Sequence, residues 1–281
     1  MQEIVLFIVG VAISAFGVTV GFGGGVFLVP VLMLFFGYNI EIAVGSSMAA
    51  MVPAALIGSY FNSRNHSIDY VVSTLIQLPA MVGTVLGAFL VAFLPVQELQ
   101  MVFALFVLVV GISMLLPHTQ QKQTRHSGLM YRIRDIPTTF IRKNKTNHLA
   151  YRLNAGVVSV FGFLSGTVAG LFGIGGGFLQ TPIMIKLFRI PTQVATSTSL
   201  FILVVTSFTG LISHFLIGNV LWSRSLPVVL SFAVGSLLGS LFKRENHPDY
   251  NLEKLIAIGL LLAGVGVLLK LMLKSSTGFS F

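Results

Sequence analysis

Cysteine is absent from the 281 residues, and charged residues make up only 9% of them. The first absence excludes disulfides, thiolate metal sites and cysteine nucleophiles. The second excludes an ordinary soluble domain, where about 25% of residues are charged and supply the polar shell. Acidic residues within the apolar runs are also lacking, because Glu3, Glu41, Asp69 and Glu98 all fall at run ends. A carboxylate proton relay, or a sodium site built on an acidic ligand, would place one inside a run. There is no His/Glu metal signature and no Ser-His-Asp array, so neither a membrane enzyme nor a metal or other cofactor is expected. No basic segment or small-residue cleavage site precedes the first run at Ile4, which therefore reads as a retained span and not a cleaved signal.

What is abundant is apolar: 55% of the chain. The apolar residues gather into runs at about 4–20, 22–36, 42–62, 70–94 and 98–116, then 153–172, 174–188, 194–217, 225–242 and 254–273. Most are long enough to cross a bilayer as helices. They lack the alternation over about ten residues that marks a membrane β-barrel. The expected class is an all-α polytopic membrane protein.

One pattern occurs twice. Gly21-Phe22-Gly23-Gly24-Gly25, followed by Pro30, returns as Gly173-Ile174-Gly175-Gly176-Gly177, followed by Pro182, at an offset of 152 residues. The same offset relates Ala43 to Ala195, Ser47 to Ser199, Gly58 to Gly210, Gly83 to Gly235 and Gly87 to Gly239. Two homologous membrane halves follow, residues 1–116 and 153–281, separated by a basic segment at 117–152. That segment carries eight Lys/Arg against the single Asp135 and supplies +7 of the net charge of +9. Between spans such a stretch marks the cytoplasmic side and can touch anionic headgroups, and it does not call for nucleic acid.

Counting each glycine-interrupted stretch as one broken crossing gives eight spans, and counting it as a two-limbed hairpin gives ten limbs. With five limbs per half, fourteen of the seventeen Lys/Arg fall inside, against twelve with four. The positive-inside rule therefore prefers the odd count, which makes the halves inverted repeats.

The glycine runs are poor helix interiors, since each glycine costs roughly 1 kcal/mol relative to alanine. A break there frees the N–H groups of the limb that restarts at Val26 or Phe178, and these with the helix dipole suit an anion. Gly23, Gly24, Gly25, Gly175, Gly176 and Gly177 are candidate substrate-binding residues on that ground, with close helix packing as the competing reading. Ser46-Ser47 and Thr198-Ser199 join them, each pair following a candidate N-cap at Asn39 or Thr192. Their hydroxyls can donate to an anion or merely bond the preceding turn. Gln180 stands on the second limb where the first has Leu28, so the halves differ chemically. Asn62 and His214 occupy matching positions near span ends, with a backbone-bonded histidine the simpler reading. The pairs Gly83/Gly87 and Gly235/Gly239 read as helix-packing faces, holding one half to the other or supporting a homodimer.

The doubled Gly-x-Gly-Gly-Gly-x4-Pro string and the paired Ala-x-x-Ser/Thr-Ser segments resemble the TauE/SafE-type sulfite exporter family over both halves. The resemblance implies an inner-membrane secondary carrier for sulfite, sulfonates or related small sulfur-containing anions. By position it makes the glycines, Ser47, Thr198, Ser199 and Gln180 the leading lining residues. The basic segment is long for that family's connector, which leaves room for a regulatory role. A carrier for another small organic acid or ion, or a non-transporting membrane partner acting through the basic loop, are the alternatives.

Overall fold

The computed structural model describes residues 2–64, 67–115, 139–143, 150–188, 190–242 and 250–277. Each predicted run is a helix. The first half holds α1 (Gln2–Val20), α2 (Gly25–Phe35), α3 (Ile40–Arg64), α4 (Tyr70–Phe93) and α5 (Val96–Leu115). The second holds α6 (Ala155–Phe172), α7 (Gly177–Lys186), α8 (Thr192–Ile217), α9 (Trp222–Leu241) and α10 (Tyr250–Thr277). Between them an antiparallel pair, β1 (Thr139–Lys143) and β2 (Ala150–Asn154), sets Thr139 opposite Asn154. The rest of the basic segment lies outside the described residues.

Among the described residues, seven helices are long and apolar enough to span a membrane: α1, α3, α4, α5, α6, α8 and α9. With 11 and 10 residues, α2 and α7 reach only about 16 and 15 Å, half a bilayer's apolar core. The glycines explain why they stop short. Gly21, Gly23 and Gly24 in the first break, and Gly173, Gly175 and Gly176 in the second, all have positive φ, a conformation other residues enter only with strain. The limbs restart with Gly24 and Gly176 as N-caps, one residue earlier than Val26 and Phe178 would place them.

Helices apolar on every side belong in lipid. On α4, Leu78, Val82, Leu86 and Phe89 face outward while Val72, Ile76, Gly83 and Gly87 are buried. The most apolar stretch of α3 is 67% buried, the largest share of these seven helices, and that of α8 follows at 44%. These two form the centre.

Packing contacts fix their directions. Gly45 lies on the Asn219 backbone, Met48 on Gly210, Gly58 on Leu200, and Ser67 on Ser197. As the α3 position rises, the partner position in and beside α8 falls, so the two are antiparallel. By contrast α4 runs parallel to α6. A Cβ on Gly83 would meet the Phe163 carbonyl, and one on Gly87 the Thr167 carbonyl. From the other side, Gly162, Gly166 and Gly170 press on the carbonyls of Ile76, Ala80 and Thr84. In the same way α1 and α9 run parallel, with Gly235 on the Val11 carbonyl, Gly239 on the Ala15 carbonyl and Ser14 Oγ donating to the Phe232 carbonyl at 2.7 Å.

The Gly83/Gly87 and Gly235/Gly239 faces are therefore helix-packing surfaces joining one half to the other. These two faces are covered by α6 and α1 of the same chain.

Candidate functional site

The two glycine loops cross antiparallel at the centre of the molecule. A Cβ on Gly25 would lie 2.8 Å from the Gly173 carbonyl, and one on Gly177 would lie 3.2 Å from the Gly21 carbonyl. At the crossing, Gly23 and Gly175 both contact Met51 from α3 and Leu203 from α8. Met51 and Leu203 are fully buried and are themselves separated by 152 positions. The sequence reading missed them, and their shared offset was the one available signal. Phe22 and Phe178 meet edge-on beside the crossing, with centroids 5.0 Å apart.

The serines of α3 and α8 tie each half to the other's loop. Ser47 Oγ donates to the Gly173 carbonyl at 2.7 Å, and Ser199 Oγ donates to the Gly21 carbonyl at 2.8 Å. Ser199 Oγ also lies 3.0 Å from the Thr196 carbonyl and accepts from Thr181 Oγ1 at 2.8 Å. Ser46 and Thr198 face elsewhere. Ser46 Oγ pairs with Ser225 Oγ of α9 at 2.8 Å, while Thr198 Oγ1 accepts from the Asp69 N–H at 3.0 Å. The structure thus joins the glycines, Ser47, Ser199 and Gln180 in one region and sets Ser46 and Thr198 on its flanks.

The Thr192 N-cap expectation is corrected: Pro191 holds that position and Thr192 is the first residue of α8. A proline suits a helix start because it has no N–H to satisfy. Asn39 does stand just before α3, where its carbonyl accepts from the Ala43 N–H at 2.9 Å.

Gln180 is 2% exposed and lies over the start of α7, its amide nitrogen 3.1 Å from where a Gly176 Cβ would be. Nε2 donates to Ser165 Oγ at 3.2 Å, while Oε1 is buried without a partner. On its α4–α6 side is a cavity lined by Ile76, Val158, Phe161, Gly162, Ile183 and Phe188. Thr206 Oγ1 adds a contact at 3.1 Å to the Gly175 carbonyl.

His214 is fully buried, with Nε2 2.8 Å from the Gly170 carbonyl and Nδ1 3.3 Å from Asn219 Nδ2. If Asn219 donates to Nδ1, the ring proton sits on Nε2 and points at that carbonyl. The histidine is bonded to backbone, in the last turn of α8, and is buried within the protein.

Among the described residues, the buried polar set is Ser, Thr, Asn, Gln, His214 and a single carboxylate, Asp69. Asp69 was read as a run-end residue, and it is one: it caps α4, with Oδ1 accepting from the Val71 and Val72 N–H groups at 3.1 and 3.3 Å. Among the residues whose side-chain burial is described, no Lys or Arg is buried. Favourable potential for an anion at the centre must therefore come from helix N-termini, hydroxyls and amides.

Paired broken helices meeting inside a bundle of apolar helices define a multi-pass membrane protein of the transporter class. The sequence profile of the family described as Sulfite exporter TauE/SafE matches residues 6–267, and the chain belongs to that family. It is 27% identical to "Probable membrane transporter protein YunE" of Bacillus subtilis, over 94% of this chain and 96% of that one. It is 27% identical to a "Probable membrane transporter protein" of Xylella fastidiosa, over 88% and 87% of the two chains. A shorter match, 29% identical over 40% of this chain and 25% of the other, is to "Sulfite exporter TauE/SafE family protein 1" of Arabidopsis thaliana. No solved structure matches the chain.

Proposed function

We propose that this protein is a secondary carrier of small anions, of the sulfur oxyanion or sulfonate kind, in the cytoplasmic membrane. Its two halves are inverted repeats, and the cargo is held where their glycine loops cross. The observation that carries the reading is the reciprocal pair of bonds, Ser47 to the Gly173 carbonyl and Ser199 to the Gly21 carbonyl. Each half closes the other's loop through equivalent atoms, so either closure can be released while its mate holds. That is the requirement for alternating access.

The chemistry of the centre suits an anion. The N-termini of α2 and α7 both start at the crossing, and among the residues whose side-chain burial is described no buried Lys or Arg is there to hold the cargo too tightly to release. Export also needs no coupling carboxylate, because an anion leaving a negative interior gains about 2.3 kcal/mol per charge per 100 mV. No catalytic role is assigned to any residue.

The test is flux in proteoliposomes carrying the whole chain, with sulfite, thiosulfate and an alkanesulfonate as cargo. The reading predicts saturable flux of at least one of them. No flux of any small anion by inserted protein would end it.

A further inference from the structure

The two ends of the bundle follow one plan and are finished differently. At the end where α3 and α9 begin, Tyr38 Oη donates to the Arg224 carbonyl at 2.9 Å. The Arg224 guanidinium lies over the Tyr38 ring, 5.6 Å from its centroid. At the 152-residue offset Tyr38 answers Ile190 and Arg224 answers Val72. Those two belong to a buried apolar cluster with Leu153 and Phe188, at the end where α4 and α8 begin. One end carries a fixed cation where the other carries hydrocarbon.

Tyr38 is 8% exposed and Arg224 stands at the surface, so a buried ring is the platform for an accessible guanidinium. Burial raises the Tyr38 pKa against the pull of Arg224, with Glu3 at the start of α1 adding to the rise, so the phenol keeps the proton that tethers it. Stacking occupies the face of a guanidinium and leaves its in-plane N–H groups available. Among the described residues the Arg224 guanidinium makes no hydrogen bond or ion pair, with Glu3 or any other group. Other cations are already engaged. Arg64 lies over Tyr60, but that ring is on the same helix, is 53% exposed and takes an Arg64 N–H at 2.6 Å. Lys270 of α10 donates to the Met33 carbonyl at 2.8 Å. Arg224 alone of these three is both held in place and unspent, which suits a bidentate oxyanion.

A polar line runs inward from it. The next residue, Ser225, is fully buried, and its Oγ pairs with Ser46 Oγ at 2.8 Å. The residue after Ser46 is Ser47, which donates to the Gly173 carbonyl at the crossing. At the other end the answering residues, Ser73 and Thr198, turn to Gln77 and to the Asp69 N–H instead.

We propose that Arg224, held on Tyr38, is a reception site for the oxyanion head of the cargo at the end where α3 and α9 begin. This rests on the transport reading and its topology, which put that end outside, and it adds a site apart from the crossing. Cations are scarce there: with five limbs per half, only three of the seventeen Lys/Arg fall outside. Arg224 sets the affinity for anions arriving from outside and plays no part at the inner mouth.

The experiment measures sulfite and methanesulfonate flux by the full chain in right-side-out and inside-out membrane vesicles. Arg224→Gln should raise the outer-face KM about tenfold, the loss of one charge-assisted contact, and leave kcat and the inner-face KM unchanged. Arg224→Lys should recover part of that loss, because it keeps the charge without the fork. Arg64→Gln should change neither KM. Arg224 is exposed, so its variants should melt with the wild type. An anionic lipid headgroup offers the same chemistry, and the purified chain in phosphatidylcholine nanodiscs with and without phosphatidylglycerol distinguishes it. If the headgroup is the ligand, Arg224→Gln abolishes stabilisation by phosphatidylglycerol and leaves both KM values alone. That result, or a KM shift at the inner face, at both faces or at neither, overturns this inference and leaves the transport reading standing. No flux of either anion by the wild type overturns both.

Discussion

Ser47 of α3 donates to the carbonyl of Gly173 across 2.7 Å, and 152 positions on, Ser199 of α8 donates to the carbonyl of Gly21 across 2.8 Å. Neither carbonyl is at the end of an ordinary helix. Gly21 and Gly173 both have positive φ, which turns the chain out of α1 and α6 and leaves their oxygens dependent on partners from outside the helix. In an apolar interior that dependence makes each serine a clasp on the opposite half.

Removing a clasp should therefore be felt in stability. Ser47→Ala strands a buried carbonyl and should cost about 1–3 kcal/mol. Ser199→Ala should cost at least as much, because Thr181 Oγ1 loses its acceptor at 2.8 Å as well. Thermal unfolding of the purified protein in detergent measures both. A pair of alanine variants as stable as wild type would show the bonds to be incidental.

The glycine breaks carry strain that only glycine escapes. Gly24 and Gly176 have φ of 86° and 75°. A side chain there costs about 1–2 kcal/mol in backbone energy alone and fills the crossing. Gly24→Leu and Gly176→Leu should insert normally and lose at least tenfold in anion flux. Gly37 offers the control: its φ is 67° but nothing lies within 4 Å of its Cβ position. Gly37→Ala should bear the backbone cost and keep its flux.

The parallel packing of α4 on α6 makes a different prediction. Gly83→Ala would drive a methyl into the Phe163 carbonyl and within 2.8 Å of the Thr167 N–H. It should separate the helices and lower the yield of folded protein. Gly259, on the exposed side of α10, has nothing within 4 Å. Gly259→Ala should be neutral or stabilise by about 1 kcal/mol, as helix propensity alone predicts. Fluorescence size-exclusion profiles and melting curves separate the two.

Met51 sits where the loops cross, fully buried against Gly23, Gly25 and Gly175. Met51→Ala should cost about 2–5 kcal/mol, with the residual cavity deciding where in that range it falls. The thermal midpoint reports it, and a change of under 0.5 kcal/mol would mean that the crossing is not tightly packed around this side chain.

Much of this arrangement was legible before any coordinates. The run at 70–94 became Tyr70–Phe93, because an unbroken apolar stretch in lipid can satisfy its backbone only as a helix. The breaks lay at the glycine runs, and the spacing of Gly83 and Gly87 announced a packing face. Other features left no local trace. Met51 and Leu203 are apolar residues within apolar runs, so only three-dimensional crossing singles them out. Ser46 and Thr198 look like Ser47 and Ser199 in sequence, but one residue along a helix is a 100° rotation, enough to send them to Ser225 and Asp69. Pro191 displaced Thr192 as N-cap because a missing N–H is harmless at a helix start. The β1–β2 pair lay hidden in a segment whose charge dominated its reading.

The proposed site and the proposed transport cycle both require the halves to cross the membrane in opposite senses. Since the chain has no cysteine, single cysteines at Phe93, the exposed last residue of α4, and Phe242, the exposed residue just after α9, can be labelled on intact cells with a membrane-impermeant reagent. The account predicts that position 93 labels from outside and position 242 only after the inner face is opened. Labelling of both positions from the same face would contradict it.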